Sequence, residues 1–299
     1  MPLPATFKRP NLLIVGCGDI GLRVAGLLRG RYRVLALTST PQRAQLLRDA
    51  GVVPLIGNLD NAASLHRLGA LSDSVLHLAP PPFSGRTDPR TANLLRALAR
   101  SGRVDRVNRI VYGSTTGVYG DCGGALFDET RAVNPTTDRA QRRVDAETQL
   151  REFGRLMGVR ITLLRIPGIY ASDREGGHPR ERLKRGSPVL NAEDDVFTNH
   201  IHADDLARAC VAALLRGLPQ RVVHACDDTD LKMADYFDLA ADLEGAARPR
   251  RIGRAQAEQE LSPMLMSFMS ESRRLMNGRL KTELKLKLRY PTVHTGLLT

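Results

Sequence analysis

The stretch Gly16-Cys17-Gly18-Asp19-Ile20-Gly21 has the spacing G-x-G-x-x-G. It stands directly after the apolar run Asn11–Val15 and opens a helical pattern through Ile20, Val24, Leu27 and Leu28. In that setting each glycine has a task. Gly16 permits a tight turn, Gly18 lets backbone approach a pyrophosphate, and Gly21 lets helix and strand pack closely. Amides and dipole at the helix start, around Asp19 and Ile20, then hold phosphate charge. A carboxylate at the end of the second strand would grip a ribose 2′-hydroxyl, but Thr38, Ser39 and Thr40 stand there, with Arg43 just beyond. Hydroxyls and a guanidinium suit a 2′-phosphate, so the residues favour NADP over NAD. Against this, Thr40 followed by Pro41 also reads as a plain helix N-cap.

These residues need a frame, and the chain supplies one. Apolar strand-like runs at 11–15, 33–37, 52–56, 75–79, 109–114, 160–166 and 221–225 alternate with helical patterns. The helical patterns fall near 41–50, 62–68, 89–101, 136–157, 204–215 and 232–243. Such alternation predicts an α/β fold, a Rossmann-type doubly wound parallel sheet with helices on both faces and ligands at the carboxyl ends of its strands. After about residue 245 the pattern loosens, and Leu284–Leu288 reads as a strand or as an amphipathic helix end.

Composition narrows the class. The chain has 299 residues, 42% hydrophobic and 25% charged, enough for a full core and unlike a disordered chain. No apolar run approaches the roughly 18 residues of a membrane span, and the first ten residues lack a signal-peptide core. A cytoplasmic address without membrane partners is expected. Four dispersed cysteines give neither a disulfide framework nor a Cys-x-x-Cys metal pair. The net charge is +12, carried by 38 arginines and only 6 lysines. Nucleic acid is the first reading of such a charge, but aromatics are only 4% and none interleave with a basic stretch. The excess lies mainly in 96–109 and 248–299. A basic C-terminal lobe suits an anionic small-molecule substrate, with the arginines at 248–254 expected to capture it.

Several further stretches occur in order: Gly57-Asn58-Leu59-Asp60, Val75–Ala79, Val111–Gly120, Leu163–Tyr170, Ile201–Ala207 and Asn277–Leu284. Together with the glycine fingerprint they resemble the extended or atypical short-chain dehydrogenase/reductase superfamily, the relatives of nucleotide-sugar epimerases and dehydratases. The resemblance covers nearly the whole chain. It implies a dinucleotide-binding Rossmann domain over 1–168, with 198–226 returning to it, and a smaller substrate lobe over most of 169–299. It implies Asn58 and Leu59 beside the adenine, Ala79 and Pro80 against the cofactor, and Pro167, Gly168 and Ile169 near the nicotinamide. Thr115, four residues before Tyr119, falls on the family's catalytic Ser/Thr. A homodimer packed through the helices near 89–101 and 136–157 is implied as well.

The chain departs from the pattern where the chemistry should be. The superfamily carries Tyr-x-x-x-Lys on the long helix, with a Glu four residues past the Lys. Anchored on Glu147, the Lys position is Arg143 and the Tyr position is Arg139. A phenol can exchange a proton with a substrate hydroxyl; a guanidinium stays protonated and cannot. Arg143 keeps the means to hydrogen-bond a ribose. Tyr119 and Tyr170 are the substitute acids, or packing residues. Val15 stands where the family often has glycine, and Thr198 where nucleotide-sugar enzymes often have arginine, which argues against a UDP- or dTDP-sugar.

Asn199–His202 with Asp204-Asp205 has the look of a metal cluster, but by the resemblance it is a structural turn, and no metal is expected. Cys17 reads as a small filler, and Pro263–Met269 as core packing or as an adaptable pocket wall. Two functions stay open: an oxidoreductase or epimerase/dehydratase-like enzyme with a non-standard active site, or a catalytically inactive NAD(P)-binding sensor or scaffold.

Overall fold

Strand β1 (Asn11–Val15) is buried along its whole length, the pattern of a strand covered on both faces. Six more strands join it: β2 (Arg33–Thr38), β3 (Val53–Ile56), β4 (Ser74–His77), β5 (Arg109–Thr115), β6 (Arg160–Ile166) and β7 (Arg221–His224). Their order across the sheet is β7-β6-β5-β4-β1-β2-β3. The pairs β1–β2, β1–β4, β2–β3 and β4–β5 run parallel, with Val15 opposite Leu37 and His77 at the carboxyl ends. The order reverses between β1 and β4, so the switch point lies beside the glycine turn that follows β1.

Helices connect the strands: α1 (Asp19–Leu27), α2 (Ala44–Asp49), α3 (Pro89–Ala99), α4 (Asp138–Met157) and α5 (Ala203–Arg216). Helix α3 starts where the sequence dictates. Pro89 takes the first helical position, and the buried Asp88 carboxylate accepts the N–H groups of Arg90 (3.0 Å) and Thr91 (3.2 Å). Thr40 does not repeat that device. The chain enters α2 through a 3₁₀ turn, Pro41–Arg43, and the Thr40 side chain caps nothing. Thr40 holds the expected N-cap position with Pro41 first in the turn, but its hydroxyl makes no cap bond; the Thr38 hydroxyl accepts the Thr40 N–H at 3.2 Å.

The computed structural model describes residues 9–100 and 107–298. Segment 1–8, the helix end expected at Ser101 and the basic residues of 101–106 lie outside the described residues, as does the Met264 side chain. The chain forms two compact units. The first comprises 1–114, 142–163 and 210–221; the second comprises 115–141, 164–209 and 222–299. Unit 1 is centred on the apolar residues of β1, β2, β4 and β5. Unit 2 has its own core, in which Tyr170, Val189, Leu190, Tyr236, Phe237, Ile252 and Met269 pack around α6 (Met233–Glu244). Its helices α7 (Arg254–Glu260) and α8 (Pro263–Phe268) are short. Residues 284–288 are neither strand nor helix: the leucines are buried and the lysines exposed along irregular chain. Among the described residues, no helix is long and apolar enough to cross a membrane.

Candidate functional site

The glycine turn of unit 1 has a distinct geometry at each position. Gly16 has φ +86°, and a Cβ built there would lie 2.4 Å from the Ala79 backbone nitrogen. Only a glycine lets the turn cross the end of β4 so closely. A Cβ on Gly18 would meet nothing within 4 Å, so the backbone there faces open space. A Cβ on Gly21 would come 3.1 Å from Cys17 Sγ and 3.2 Å from Ile14 Cγ2, which sets the close approach of α1 to β1. Gly18 N–H donates to Gly16 (2.9 Å), and Leu22 N–H donates to Gly18 (2.9 Å), starting the helix. Asp19 in its first turn accepts the Arg23 Nε–H at 2.9 Å, and Ile20 is buried. Burial pushes the Cys17 thiol up to about 11, the state of an inert filler.

Other residues of unit 1 converge on this turn. Arg43 Nη2 donates to the Cys17 carbonyl at 2.9 Å, bringing a guanidinium from the 3₁₀ turn after β2 onto the glycine turn. Thr38 is buried and Ser39 exposed. Ala79 N–H donates to Val15 at 2.9 Å. Asn58 Oδ1 accepts the Asp60 N–H (2.9 Å), and the buried Leu59 offers its carbonyl to Asn93 Nδ2 (2.8 Å). Arg90 clamps Asp60 with two bonds of 2.8 and 2.7 Å and reaches the Pro80 carbonyl at 3.2 Å. The loops after β3 and β4 are thereby tied together.

Arg143 Nη1 donates to the Tyr112 hydroxyl (3.0 Å) and the Gly113 carbonyl (2.9 Å), which fixes the guanidinium at the end of β5. One turn on, the buried Glu147 carboxylate accepts the Ser114 hydroxyl at 2.5 Å.

Unit 2 carries a half-open cavity of about 810 Å³. Thr115, Arg139, Pro167, Gly168 and Ile169 all line it, together with His200. The Thr115 hydroxyl accepts the Gly117 N–H at 3.2 Å. Arg139 stands over the Phe268 ring, 4.9 Å from its centroid. Further cavity arginines come from the 174–185 segment and from Arg273, which pairs with Glu271 at 2.7 Å. Phe237 lies under the guanidinium of Arg182, 4.3 Å away. Sequence reasoning did not single out Arg182, Glu271 or Arg273, although the neighbouring Met-rich stretch pointed to the region. Leu265 and Phe268 of that stretch line the cavity, and Met269 is in the core.

Tyr119 is elsewhere. It is 1% exposed, does not line the cavity and sits in a buried hydrogen-bond chain. His224 Nδ1 faces the Met276 carbonyl at 2.9 Å, so Nδ1 carries the proton and Nε2 accepts from the Tyr119 hydroxyl at 2.6 Å. Arg165 donates to the same hydroxyl at 2.7 Å. Tyr170 lines the cavity with its ring, while its hydroxyl donates to the Thr292 carbonyl at 3.3 Å. Burial pushes its pKa far up.

The histidine–aspartate stretch is held by packing and hydrogen bonds, while His200 also lines the cavity. His200 bonds Thr198 (2.9 Å) and stacks on Tyr236, with centroids 4.3 Å apart. His202 lies against Tyr290. The fully buried Asp205 accepts the N–H groups of Arg289 and Tyr290 at 2.8–3.0 Å and pairs with Arg208. It therefore ties the C-terminal segment to α5. No group of three metal-ligating side chains occurs among the described residues.

The arginines at 248–254 do not line the cavity. Arg248 pairs with Asp242 (2.7 Å), Arg250 with Glu260 (2.6 Å), Arg251 with Asp238 (2.6 Å) and Arg254 with Asp194 (3.9 Å). Their charge is spent on neighbouring acids, which corrects the capture role expected of them.

A conserved protein of unknown function from Silicibacter pomeroyi has a similar structure, with TM-score 0.79, 28% identity and 97% of each chain covered. UDP-glucose 4-epimerase from Thermotoga maritima shares the fold, with TM-score 0.78, 18% identity and 96% of each chain covered. Protein YeeZ of Escherichia coli K12 is 25% identical over 245 residues, 80% of this chain and 86% of its own length. The model of the NAD dependent epimerase/dehydratase family matches residues 12–226. With that match spanning most of the chain, and a sheet whose switch point carries the glycine turn, the protein belongs to the NAD dependent epimerase/dehydratase family.

Proposed function

We propose that the protein is an NAD(P)-dependent oxidoreductase or epimerase/dehydratase-like enzyme with a non-standard active site. The observation that carries this reading is the glycine turn, where open space beside Gly18 adjoins the first amides of the nine-residue helix α1. That arrangement fits a pyrophosphate: the missing Cβ permits approach, and N–H groups and dipole favour its charge. Asn58, Leu59, Ala79 and Pro80 complete the dinucleotide site in this reading. NADP is the preferred cofactor. Ser39 is exposed, Arg43 is held at one nitrogen by the Cys17 carbonyl, and no carboxylate ends β2 to repel a 2′-phosphate.

When bound, the nicotinamide supplies the redox chemistry. The chain's own residues position and hold. Arg143, fixed by Tyr112 and Gly113, offers a cation to a ribose hydroxyl. Thr115 and Arg139 face the cavity that receives the substrate, with Pro167, Gly168 and Ile169 in its wall. Neither guanidinium moves a proton. Tyr119 is committed to His224 and Arg165, so it is not the proton donor in this reading.

A binder without turnover is the second reading. It is favoured by one observation: guanidinium groups occupy both positions where the resemblance expects an acid–base pair. Fluorescence titration with NADPH and NADH tests the shared premise. NADPH binding tighter than NADH is expected, and binding of neither refutes both readings. Cofactor oxidation in the presence of a carbonyl substrate then separates enzyme from sensor. A homodimer through α3 and α4 belongs to the same proposal, and sedimentation at micromolar concentration showing only monomer removes it.

A further inference from the structure

The unit 2 cavity joins two properties that together describe a ligand. Part of its wall is apolar or aromatic, built from Met233, Tyr236, Phe237, Leu265 and Phe268. The rest carries five arginines and three glutamates, a small positive excess. Most of that positive charge is already engaged. Arg273 is tied to Glu271 (2.7 Å) and to the Gly120 carbonyl (2.8 Å). Arg182 donates to the Pro188 carbonyl (3.0 Å) and covers Phe237. Arg185 Nε donates to the Glu181 carbonyl at 3.1 Å.

Arg139 differs. Its guanidinium lies over the Phe268 ring at 4.9 Å, and no hydrogen bond or ion pair engages it among the described residues. A planar fork with free donors, braced on an aromatic face, is made to take a planar anion in two parallel bonds. Glu175, Glu181 and Glu271 in the same wall offset three of the five arginines and leave a small positive excess, suited to a ligand of low negative charge.

We propose that this cavity takes a monoanionic carboxylic acid with an apolar or aromatic body, its carboxylate held by Arg139 and its body resting against Phe268 and Leu265. The proposal deepens the enzyme reading by naming a substrate class, and it rests on that reading only in calling the ligand a substrate. The step is one of binding: the fork and the ring face act together, so losing either weakens capture.

The test is calorimetric titration with three probes, phenylpyruvate, phenyl phosphate and UDP-glucose, each with and without NADPH. Phenylpyruvate should bind and the two others should bind at least about tenfold more weakly. Arg139→Gln should weaken phenylpyruvate about tenfold or more, the scale of a lost charge-assisted pair, and Arg139→Lys should recover only part of it. Phe268→Ala should weaken it to a lesser degree. NADPH affinity should stay unchanged in all three variants. Tighter binding of UDP-glucose than phenylpyruvate overturns the proposal. So does tighter binding of phenyl phosphate, unchanged phenylpyruvate affinity in Arg139→Gln, or no phenylpyruvate binding up to about 10 mM. Phenylpyruvate binding in a protein that ignores NADPH and NADH leaves this inference standing and refutes the dinucleotide reading, so the two failures are distinguishable.

Discussion

Gly16 and Gly18 are two residues apart, yet replacing them by alanine should do opposite things. At Gly16 the backbone has φ +86°, where a non-glycine residue costs about 1–2 kcal/mol. The new Cβ would also stand 2.4 Å from Ala79 N and 2.6 Å from Ala79 Cα, atoms of a strand end that cannot swing aside. Such overpacking costs about 1–3 kcal/mol. Gly16→Ala should therefore lose about 2–5 kcal/mol, or about 5–15 °C in melting temperature for a chain of this size. Gly18 has φ −85° and no atom within 4 Å of a new Cβ. Gly18→Ala should hold its stability within about 1 kcal/mol while its methyl group stands where the pyrophosphate would approach. NADPH affinity should then fall at least about tenfold. Thermal unfolding combined with NADPH fluorescence titration reads both quantities. Full cofactor affinity in a stably folded Gly18→Ala, or a neutral Gly16→Ala, refutes the reasoning.

Other consequences follow from the buried polar groups. Tyr119→Phe strands His224 Nε2 and an Arg165 N–H, so it should cost about 1–3 kcal/mol in denaturant unfolding and leave NADPH affinity unchanged; the reverse pattern would return Tyr119 to the active site. Asp205→Ala leaves two part-buried backbone N–H groups and Arg208 without their acceptor, and should cost about 2–4 kcal/mol with faster proteolysis near residue 289; unaltered proteolysis contradicts the tie. Burial pushes His77 down to about 3 and both His200 and His224 to about 4. An unfolded histidine titrates near 6.5, so the unfolded chain takes up protons first, and the stability present above about pH 6.5 is lost as pH falls toward 4. Asp227 is pushed the other way, up to about 7, by burial. Its neutral form stabilises at low pH and that share is lost as pH rises through 7. Asp227→Asn should thus gain in melting temperature over the parent between pH 5 and pH 8, and a loss over that range refutes the assignment.

Local chemistry in the sequence carried the reading of unit 1. The alternating apolar runs set the strands, and the fingerprint's spacing located the turn now seen between β1 and α1. Thr40 occupies the N-cap position its sequence predicts, with Pro41 next, but sequence cannot show whether the hydroxyl makes the cap bond; here it does not, and the Thr38 hydroxyl accepts the Thr40 N–H. Unit 2 was less legible for a physical reason. Apart from β7, its strands between 189 and 275 are two or three residues long, too short to show periodicity, and its core joins residues from 170 to 297. The arginines at 248–254 form a run in sequence but are neutralised by Asp194, Asp238, Asp242 and Glu260, whose proximity is purely tertiary. The cavity arginines are scattered over 139–273 and form no run at all.

The central claim is that the turn at Gly16–Gly21 holds a dinucleotide, and a crystal structure of the protein grown with NADPH tests it most directly. Density is expected for a pyrophosphate against the amides at the start of α1, with the 2′-phosphate beside Ser39 and Arg43. A structure from crystals saturated with NADPH that shows the turn without density, or the nucleotide bound at another place, would contradict it.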